Sequence, residues 1–189
     1  MITFDNFYAL DSKTRKAYVN DIEVLKQMVK QNVSEHRFEH SLSVADTCKS
    51  LALKHRVDSN KAYVAGLLHD ITKELPDEKQ NEILIKHNES DKLGIKPSIK
   101  HSYTAKYYLM DDLNINDEDI LDAVYYHTIC ESNKPICKIL YIADKREENR
   151  HIQDNIVEVA KTDLDKAFKM MVDDVYAYIK SKGEKCTIF

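Results

Sequence analysis

Glycine is scarce in this sequence. Of 189 residues only three are glycine, at positions 66, 94 and 183. A GxGxxG dinucleotide-binding fingerprint and a Walker A loop both need glycines at closer spacing, so neither motif can be written anywhere in the chain. Hairpins rely on glycine-containing turns, and the scarcity of glycine therefore also disfavours a sheet protein. Any phosphate that the protein binds must be held by side chains or by a metal ion.

Cysteine pairs of the CxxC type and long apolar runs are also missing. The four cysteines, at positions 48, 130, 137 and 186, are scattered, which excludes a zinc knuckle and a thioredoxin-like redox site. No stretch approaches the ~18 consecutive apolar residues of a membrane span, and residues 1–5 lack the features of a signal peptide. We therefore expect reduced cysteines and a cytoplasmic protein without a membrane partner.

Charge of one sign is not concentrated in any segment. The chain has 28 Lys and Arg against 32 Asp and Glu, for a net charge of −4. This balance argues against a surface that coats nucleic acid, so an anionic substrate must be attracted locally. Hydrophobic residues make up 43% of the chain, enough for one sizeable core, and the length predicts one domain.

Apolar residues recur at helical spacing along most of the chain, and no strand pattern competes. The pattern predicts an all-α, single-domain bundle over residues 20–189, preceded by a less regular N-terminal extension at residues 1–19. The predicted helices run from Asn20 or Asp21 to about 32, from Ser34 to about 55, from Asp58 or Ser59 to about 70, over a short stretch capped by Asp77, from Pro97, from Asn116 or Asp117 to 127, from Pro135, and from 163 to 181.

One carboxylate falls on a stripe that should be buried. Asp144 lies four residues after Leu140 and eight after Ile136, on the face that this helix turns to the core. It also lies near a helix C-terminus, where the helix dipole disfavours a negative charge. A buried anion in that position needs a cation, and a metal ion is the most economical one. Pairing with Lys145 or Arg146 at a solvated helix end is the alternative.

The dipeptide His69-Asp70 forms a second candidate. Neighbours on a continuous helix point about 100° apart, so these two side chains converge on one site only if the helix ends there. Pro76 permits that ending. Lys73, three residues after Asp70, would return to the face of the carboxylate and could reach a bound phosphate. A single HD dipeptide is nevertheless a weak signal by itself.

Four further histidines can contribute imidazole groups. His36 and His40 are spaced i and i+4 and share a helix face, so either could supply a ligand. Both could equally be ordinary helix-face residues. His101 and His127 lie at predicted helix ends and complete the set.

The order of these residues along the chain, and the helical context of each, resemble a known family. The order is His40, then His69-Asp70 closing a helix, then Asp144 far downstream, which is the signature of the HD phosphohydrolase superfamily. Four longer motifs extend this order: HRFEHSLSVA, AGLLHDITK, YHT at 126–128 and YIADKREENR. Through them the chain strongly resembles the YqeK family of that superfamily, the symmetrical diadenosine tetraphosphate hydrolases of bacteria, over about residues 22–182.

The resemblance implies a site as well as an activity. It implies a divalent or trivalent metal ion, expected to be iron with manganese, zinc and cobalt as alternatives, and one or two ions in all. The implied metal ligands are His40, His69, Asp70 and Asp144, with His101 and His127 either holding a second ion or contacting phosphate. The implied catalytic residues are Asp70, Lys73, His101 and His127. The implied substrate-binding residues are Arg37, Asp70, Ile71, Thr72, Lys73, His101, His127, Asp144 and Arg150.

The expected reaction is hydrolysis in the middle of a four-phosphate bridge. It would convert a small dinucleoside polyphosphate to two ADP. We expect no nucleic-acid partner, and the sequence leaves open whether the protein forms a homodimer. The alternatives are an HD-type hydrolase of a mono-, tri- or cyclic nucleotide and, from another class, a module that binds nucleotide without turnover. The chain departs from the family at Ile129-Cys130, where a glycine-containing turn is usual, and at residues 146–148, where IEP is usual. Both departures concern the rim of the expected pocket.

Overall fold

The computed structural model describes residues 21–148 and 155–183. Within these two ranges the secondary structure is helical and no strand occurs. The all-α prediction is therefore confirmed. The helices are α1 (Ile22–Asn32), α2 (Glu35–Lys54), α3 (Ser59–Leu68), α4 (Asp77–Lys86), α5 (Pro97–Asp111), α6 (Glu118–Tyr126), α7 (Pro135–Glu148), α8 (Asn155–Ala160) and α9 (Leu164–Ser181), with a 3₁₀ turn at Ser90–Lys92.

Short polar side chains begin most of these helices. Asp21, Ser34, Asp58, Asp117 and Asp163 each accept a hydrogen bond from a backbone N–H in the first turn of the helix that follows. Such caps satisfy backbone donors that have no partner within the helix. The starts predicted at these positions are confirmed, so at these five positions the local sequence sets where the helix begins.

The predicted cap at Asp77 is wrong. Pro76 occupies the cap position of α4, no side chain caps this helix, and Asp77 is its first residue. The carboxylate of Asp77 instead accepts a hydrogen bond at 2.6 Å from Nζ of Lys100, a lysine that is only 2% exposed. A buried ammonium group needs a charged partner, and this demand outweighs the capping of an exposed helix end.

Two short elements were not predicted, namely α8 and the 3₁₀ turn at Ser90–Lys92. Both are too short to display a helical period in the sequence. The predicted extension at residues 1–19 lies outside the described residues, and its boundary stays a prediction. None of the described helices is long and apolar enough to cross a membrane.

Helix α7 lies at the centre of the packing. It contacts α2, α3, α6 and α9, and the side chains of Ile139, Leu140, Ile142 and Ala143 are fully buried there. Most of the other helices contribute to the same core, while α4 packs on α5 through a smaller apolar cluster around Leu84. Burial on nearly all sides of α7 brings Asp144, which lies on it, into the interior.

Helices α2 and α3 cross at very short distance because of one glycine. A Cβ atom built on Gly66 would lie 2.7 Å from Cα and 3.0 Å from the backbone nitrogen of Ala45. Both atoms belong to the backbone, so the contact can be relieved only by moving a helix. Gly66 therefore sets how closely α3 approaches α2, the helix that carries His40.

We predict that Gly66→Ala destabilises the protein by roughly 1–3 kcal/mol, the usual cost of overpacking a core. Alanine normally stabilises a helix interior by about 1 kcal/mol relative to glycine, so a loss of stability must come from the clash. Urea denaturation followed by circular dichroism measures the effect. The matched control is Gly94→Ala, where a Cβ meets nothing within 4 Å, and which should change stability by no more than about 0.5 kcal/mol. Equal stability of the two variants would contradict the close crossing.

Candidate metal centre

Four of the predicted ligands come together between α2, α3 and α7. His40 lies on α2, His69 caps the C-terminus of α3, Asp70 follows it, and Asp144 lies on α7. The Nε2 atoms of His40 and His69 are 3.3 Å apart. Oδ1 of Asp144 lies 3.3 Å from Nε2 of His40 and 3.5 Å from Nε2 of His69. Oδ2 of Asp70 lies 3.8 and 3.5 Å from the same two nitrogens.

A second group of ligand atoms adjoins the first through Asp70. Its other carboxylate oxygen, Oδ1, lies 2.9 Å from Nε2 of His101 and 3.7 Å from Nε2 of His127. The two Nε2 atoms of this histidine pair are 3.0 Å apart. Asp70 therefore presents one oxygen to each group, and it can contact one cation on either side.

The ends of two helices explain how these side chains converge. Helix α3 ends at Leu68, and the chain continues in tight turns, with Ile71 N–H donating to Leu68 O at 3.2 Å and Lys73 N–H donating to Asp70 O at 2.9 Å. His127 is likewise the residue that caps the C-terminus of α6. The prediction that the helix ends at the HD dipeptide is confirmed.

Backbone hydrogen bonds set the orientation of three of the imidazole rings. In each ring Nδ1 faces a carbonyl oxygen, which can only accept, so Nδ1 carries the proton and donates it. These bonds run from His69 to Gly66 at 2.7 Å, from His101 to Pro97 at 3.2 Å and from His127 to Val124 at 2.6 Å. A neutral ring held in this way turns the lone pair of Nε2 towards the site, as metal-binding histidines do.

Both carboxylates are buried and each contacts cationic side chains. Asp70 and Asp144 are each 1% exposed. Arg37 Nη1 lies 2.8 Å from Oδ2 of Asp70, and Lys145 Nζ lies 2.8 Å from Oδ2 of Asp144. Burial alone would raise both pKa values, but His69 and the other imidazoles hold the pKa of Asp70 well below its usual range, and Lys145, His40 and His69 do the same for Asp144. Both groups are therefore anionic at neutral pH.

The histidines divide into two kinds by charge. Burial by itself lowers the pKa of His69, yet the carboxylates of Asp70 and Asp144 outweigh it and raise the pKa to about 10. Burial lowers the pKa of His127 to about 4 and also lowers that of His101. Without a metal ion, a proton therefore resides on the His69 side, while the His101–His127 pair is neutral. The carboxylates of Asp70 and Asp144 therefore attract a positive charge to the His69 side of the centre, and either a proton on His69 or a metal ion can supply it.

The side chains fit a divalent metal ion. Oδ1 of Asp70 and Oδ1 of Asp144 are buried and receive no hydrogen bond of good geometry, although imidazole nitrogens lie 2.9 and 3.3 Å away. Facing lone pairs and buried anionic oxygens repel one another unless a cation lies between them. Groups of His and Asp that could hold a metal ion occur on both sides of Asp70. Imidazole and carboxylate ligands without thiolate suit iron, manganese, zinc and cobalt.

The other predicted site residues have different placements. The side chains of Arg37 and Lys73 are 20% and 19% exposed, at the edge of the centre, and Lys73 Nζ lies 3.2 Å from Nε2 of His101. Ile71 and Thr72 are 1% and 0% exposed and lie in the turn between Asp70 and Lys73. Their part in substrate binding stays a prediction. Arg150 lies outside the described residues.

The structure also decides the open alternatives. His40 contacts the centre whereas His36 is exposed, so His40 is the histidine of this pair that the fold brings to the site. Asp144 does pair with Lys145, but both are buried, so the solvated pairing considered as the alternative is excluded. Three buried hydroxyl groups beside the centre were missed. They belong to Ser102, Thr104 and Thr128, and the one signal in the sequence is their position next to or near His101 and His127.

Comparisons with known proteins agree with this geometry. The family model described as HD domain matches residues 37–160. The symmetrical bis(5'-nucleosyl)-tetraphosphatase of Bacillus subtilis is 32% identical over 163 residues, 82% of this chain and 86% of that protein. The enzyme of the same name from Staphylococcus aureus is 33% identical over 134 residues, 70% and 69% of the two chains. A crystal structure from Clostridium acetobutylicum, titled as a predicted HD superfamily hydrolase involved in NAD metabolism, superposes with a TM-score of 0.75 at 31% identity and covers 87% of this chain and 89% of its own.

We predict that Asp70→Asn and Asp144→Asn each weaken the binding of a divalent metal by roughly tenfold or more, because changing only the partner of a ligand already costs about 10- to 100-fold. An amide keeps the shape of the side chain but removes the negative charge that attracts the ion. Elemental analysis of dialysed protein and calorimetric titration with Mn²⁺ measure this. The control is Asp111→Asn, whose carboxylate pairs with Lys86 and His87 away from the centre. Unchanged metal content in the Asp70→Asn variant would show that the centre does not bind metal through this carboxylate.

Proposed function

Because the chain belongs to the HD domain family and, within it, to the family of the symmetrical bis(5'-nucleosyl)-tetraphosphatases, we propose that it hydrolyses diadenosine tetraphosphate to two molecules of ADP. The chain is a metal-dependent hydrolase. The observation that carries the proposal is the position of Asp70, whose two oxygens face two groups of imidazoles while cationic side chains line the edge. Such a centre can bind a metal ion and a chain of phosphates side by side.

We propose that His40, His69, Asp70 and Asp144 hold one divalent ion, with iron as the metal. The pair His101 and His127 either holds a second ion together with Asp70 or contacts the phosphates. A metal ion bound here would supply Lewis acidity, which polarises a phosphoryl oxygen and acidifies water. Metal content measured per chain separates one ion from two.

Arg37 and Lys73 supply the positive charge for the substrate. The chain as a whole carries a net charge of −4, so a polyanionic substrate is attracted only by a local field. Lys73 Nζ lies 3.6 Å from Oδ1 of Asp70 and reaches the His101 side, while Arg37 lies on the Oδ2 side. The two cations therefore flank the carboxylate, where they can offset the charge that develops on a phosphoryl group in the transition state.

The His101–His127 pair is suited to accept a proton or to donate lone pairs. Both pKa values are lowered by burial, so both rings are neutral at neutral pH. Their Nδ1 protons are committed to backbone carbonyls, which leaves Nε2 as the acceptor on each ring. We assign to this pair the task of orienting phosphate and solvent next to Asp70. The roles of Ile71 and Thr72 in substrate binding stay predictions.

The products of the reaction distinguish this proposal from its alternatives. A symmetrical hydrolase gives ADP alone from diadenosine tetraphosphate, and in ¹⁸O-labelled water each cleavage places one label in one of the two ADP molecules. A hydrolase of a mono-, tri- or cyclic nucleotide acts instead on those compounds, and a binding module gives no product. Formation of ATP and AMP, or phosphate release from ATP with no ADP from diadenosine tetraphosphate, would contradict the proposal.

A cytoplasmic location and a homodimer stay predictions.

We predict that Lys73→Met lowers kcat/KM for diadenosine tetraphosphate by roughly 100-fold, as removal of one stabilising donor does elsewhere. The variant should keep its metal content, because lysine is not a ligand. Chromatographic measurement of ADP gives the rate. The matched control is Lys79→Met, since Lys79 is exposed and pairs with Glu82 on the surface of α4. Equal rates for the two lysine variants would remove Lys73 from the site.

A further inference from the structure

The group formed by Asp70, His101 and His127 is assembled from three separate segments. Asp70 lies in the turn after α3, His101 lies in α5 and His127 lies at the end of α6. The Nδ1 bonds of the two histidines reach back to their own helices and so orient each ring without linking the segments. Other contacts must fix the distances between the segments.

A pair of threonine hydroxyls links the first two segments. The hydroxyl of Thr72 donates to the carbonyl oxygen of His101 at 2.9 Å and lies 2.9 Å from the hydroxyl of Thr104. The hydroxyl of Thr104 lies 3.1 Å from the same carbonyl oxygen. Thr72 stands between Asp70 and Lys73 in the chain, so this contact ties the turn that carries both charged groups to the backbone of His101.

A second hydroxyl pair links α5 to the end of α6. Ser102 Oγ donates to Ile99 O at 2.8 Å and lies 2.8 Å from Oγ1 of Thr128. Since the proton of Ser102 is used in the first bond, Thr128 is the donor in the second. Ser102 directly follows His101, and Thr128 directly follows His127. This bond therefore links the residue that follows His101 to the residue that follows His127.

All four hydroxyl groups are shielded from solvent, with Thr72, Ser102 and Thr104 0% exposed and Thr128 4% exposed. Water cannot replace a lost bond at such positions, and an unpaired group there carries its full desolvation penalty. The four hydroxyl residues lie one to three residues away from Asp70, His101 or His127 in the chain, so the loss of their bonds is transmitted to these side chains through very short stretches of backbone.

We propose that the two hydroxyl pairs, Thr72 with Thr104 and Ser102 with Thr128, are positioning residues that hold Asp70, His101 and His127 at the spacing needed to bind a shared metal ion. The inference rests on the proposed role of these three side chains as metal ligands, and it does not depend on which nucleotide is the substrate. A functional centre tolerates displacements of only about 0.5 Å in its binding groups. Small backbone shifts therefore have a large effect on binding.

Cobalt titration of the metal-free protein tests the proposal without substrate. The visible absorption of Co²⁺ reports the geometry of its ligands, and its growth with added metal reports affinity. Thr72→Val and Thr128→Val keep the volume of the side chain and remove the hydroxyl. We expect each to weaken Co²⁺ binding by roughly 10- to 100-fold, as loss of a partner of a metal ligand does in general, and to alter the spectrum.

Two sets of controls separate the hydroxyl from the side chain. Thr72→Ser and Thr128→Ser keep the hydroxyl, and they should bind Co²⁺ within about twofold of the unaltered protein. Thr162→Val removes a threonine hydroxyl that bonds Val159 O in an exposed turn between α8 and α9, and it should leave binding and spectrum unchanged. If the valine variants do not fold, as judged by circular dichroism, Ser102→Ala and Thr104→Ala take their place, because each removes the other member of a pair.

The proposal is overturned if folded valine or alanine variants bind Co²⁺ with unchanged affinity and spectrum, since the hydroxyls would then be merely structural. It is also overturned if the serine variants lose as much affinity as the valine variants. A protein that binds cobalt as expected but does not split diadenosine tetraphosphate would contradict the proposed function alone.

Discussion

The structure depends on two carboxylates that are kept charged in its interior. Asp70 and Asp144 are each 1% exposed, and desolvation at that depth opposes ionisation. They remain anionic because cationic and imidazole groups surround them: Arg37 and Lys145 each contact one oxygen at 2.8 Å. Oδ1 of each carboxylate has no hydrogen bond of good geometry, although imidazole nitrogens lie 2.9 and 3.3 Å away. Such a group of carboxylates and imidazoles is stable when a cation lies between them. The packing of the surrounding helices holds these side chains together.

Several packing contacts of the helical bundle position the side chains of this centre. Gly66 allows α3 to approach α2 so closely that a methyl group would overlap the backbone of Ala45. The same glycine accepts the Nδ1 proton of His69 through its carbonyl oxygen. Helix α3 then ends at Leu68, which turns both His69 and Asp70 towards α7. Close packing, ring orientation and the helix end thus lie within five residues of one another, so a change at any of them acts on the metal centre.

Charge is distributed unevenly between the two sides of Asp70. On the His69 side the carboxylates raise the pKa of the imidazole to about 10, whereas on the other side burial lowers the pKa of His127 to about 4. The His69 side therefore retains a positive charge, from a proton or from a metal ion. The His101–His127 side offers the lone pairs of neutral imidazole rings next to Lys73. This asymmetry suits a metal ion on one side and a phosphate chain with its solvent on the other. A chain with a net negative charge can bind a polyanion in this way because the field is local.

Local sequence determined most of the helices and half of the centre. The caps at Ser34 and Asp58, the core-facing position of Asp144 and the helix end at His69-Asp70 all follow from neighbouring residues and from helical periodicity. Only the tertiary structure decided that His40 and not His36 reaches the centre, that Asp77 pairs with the buried Lys100 instead of capping α4, and that the Thr72 hydroxyl bonds to α5. Each of these outcomes depends on distances between segments that lie far apart in the chain. The periodicity of a single helix shows which face is buried, but it carries no information about what that face meets.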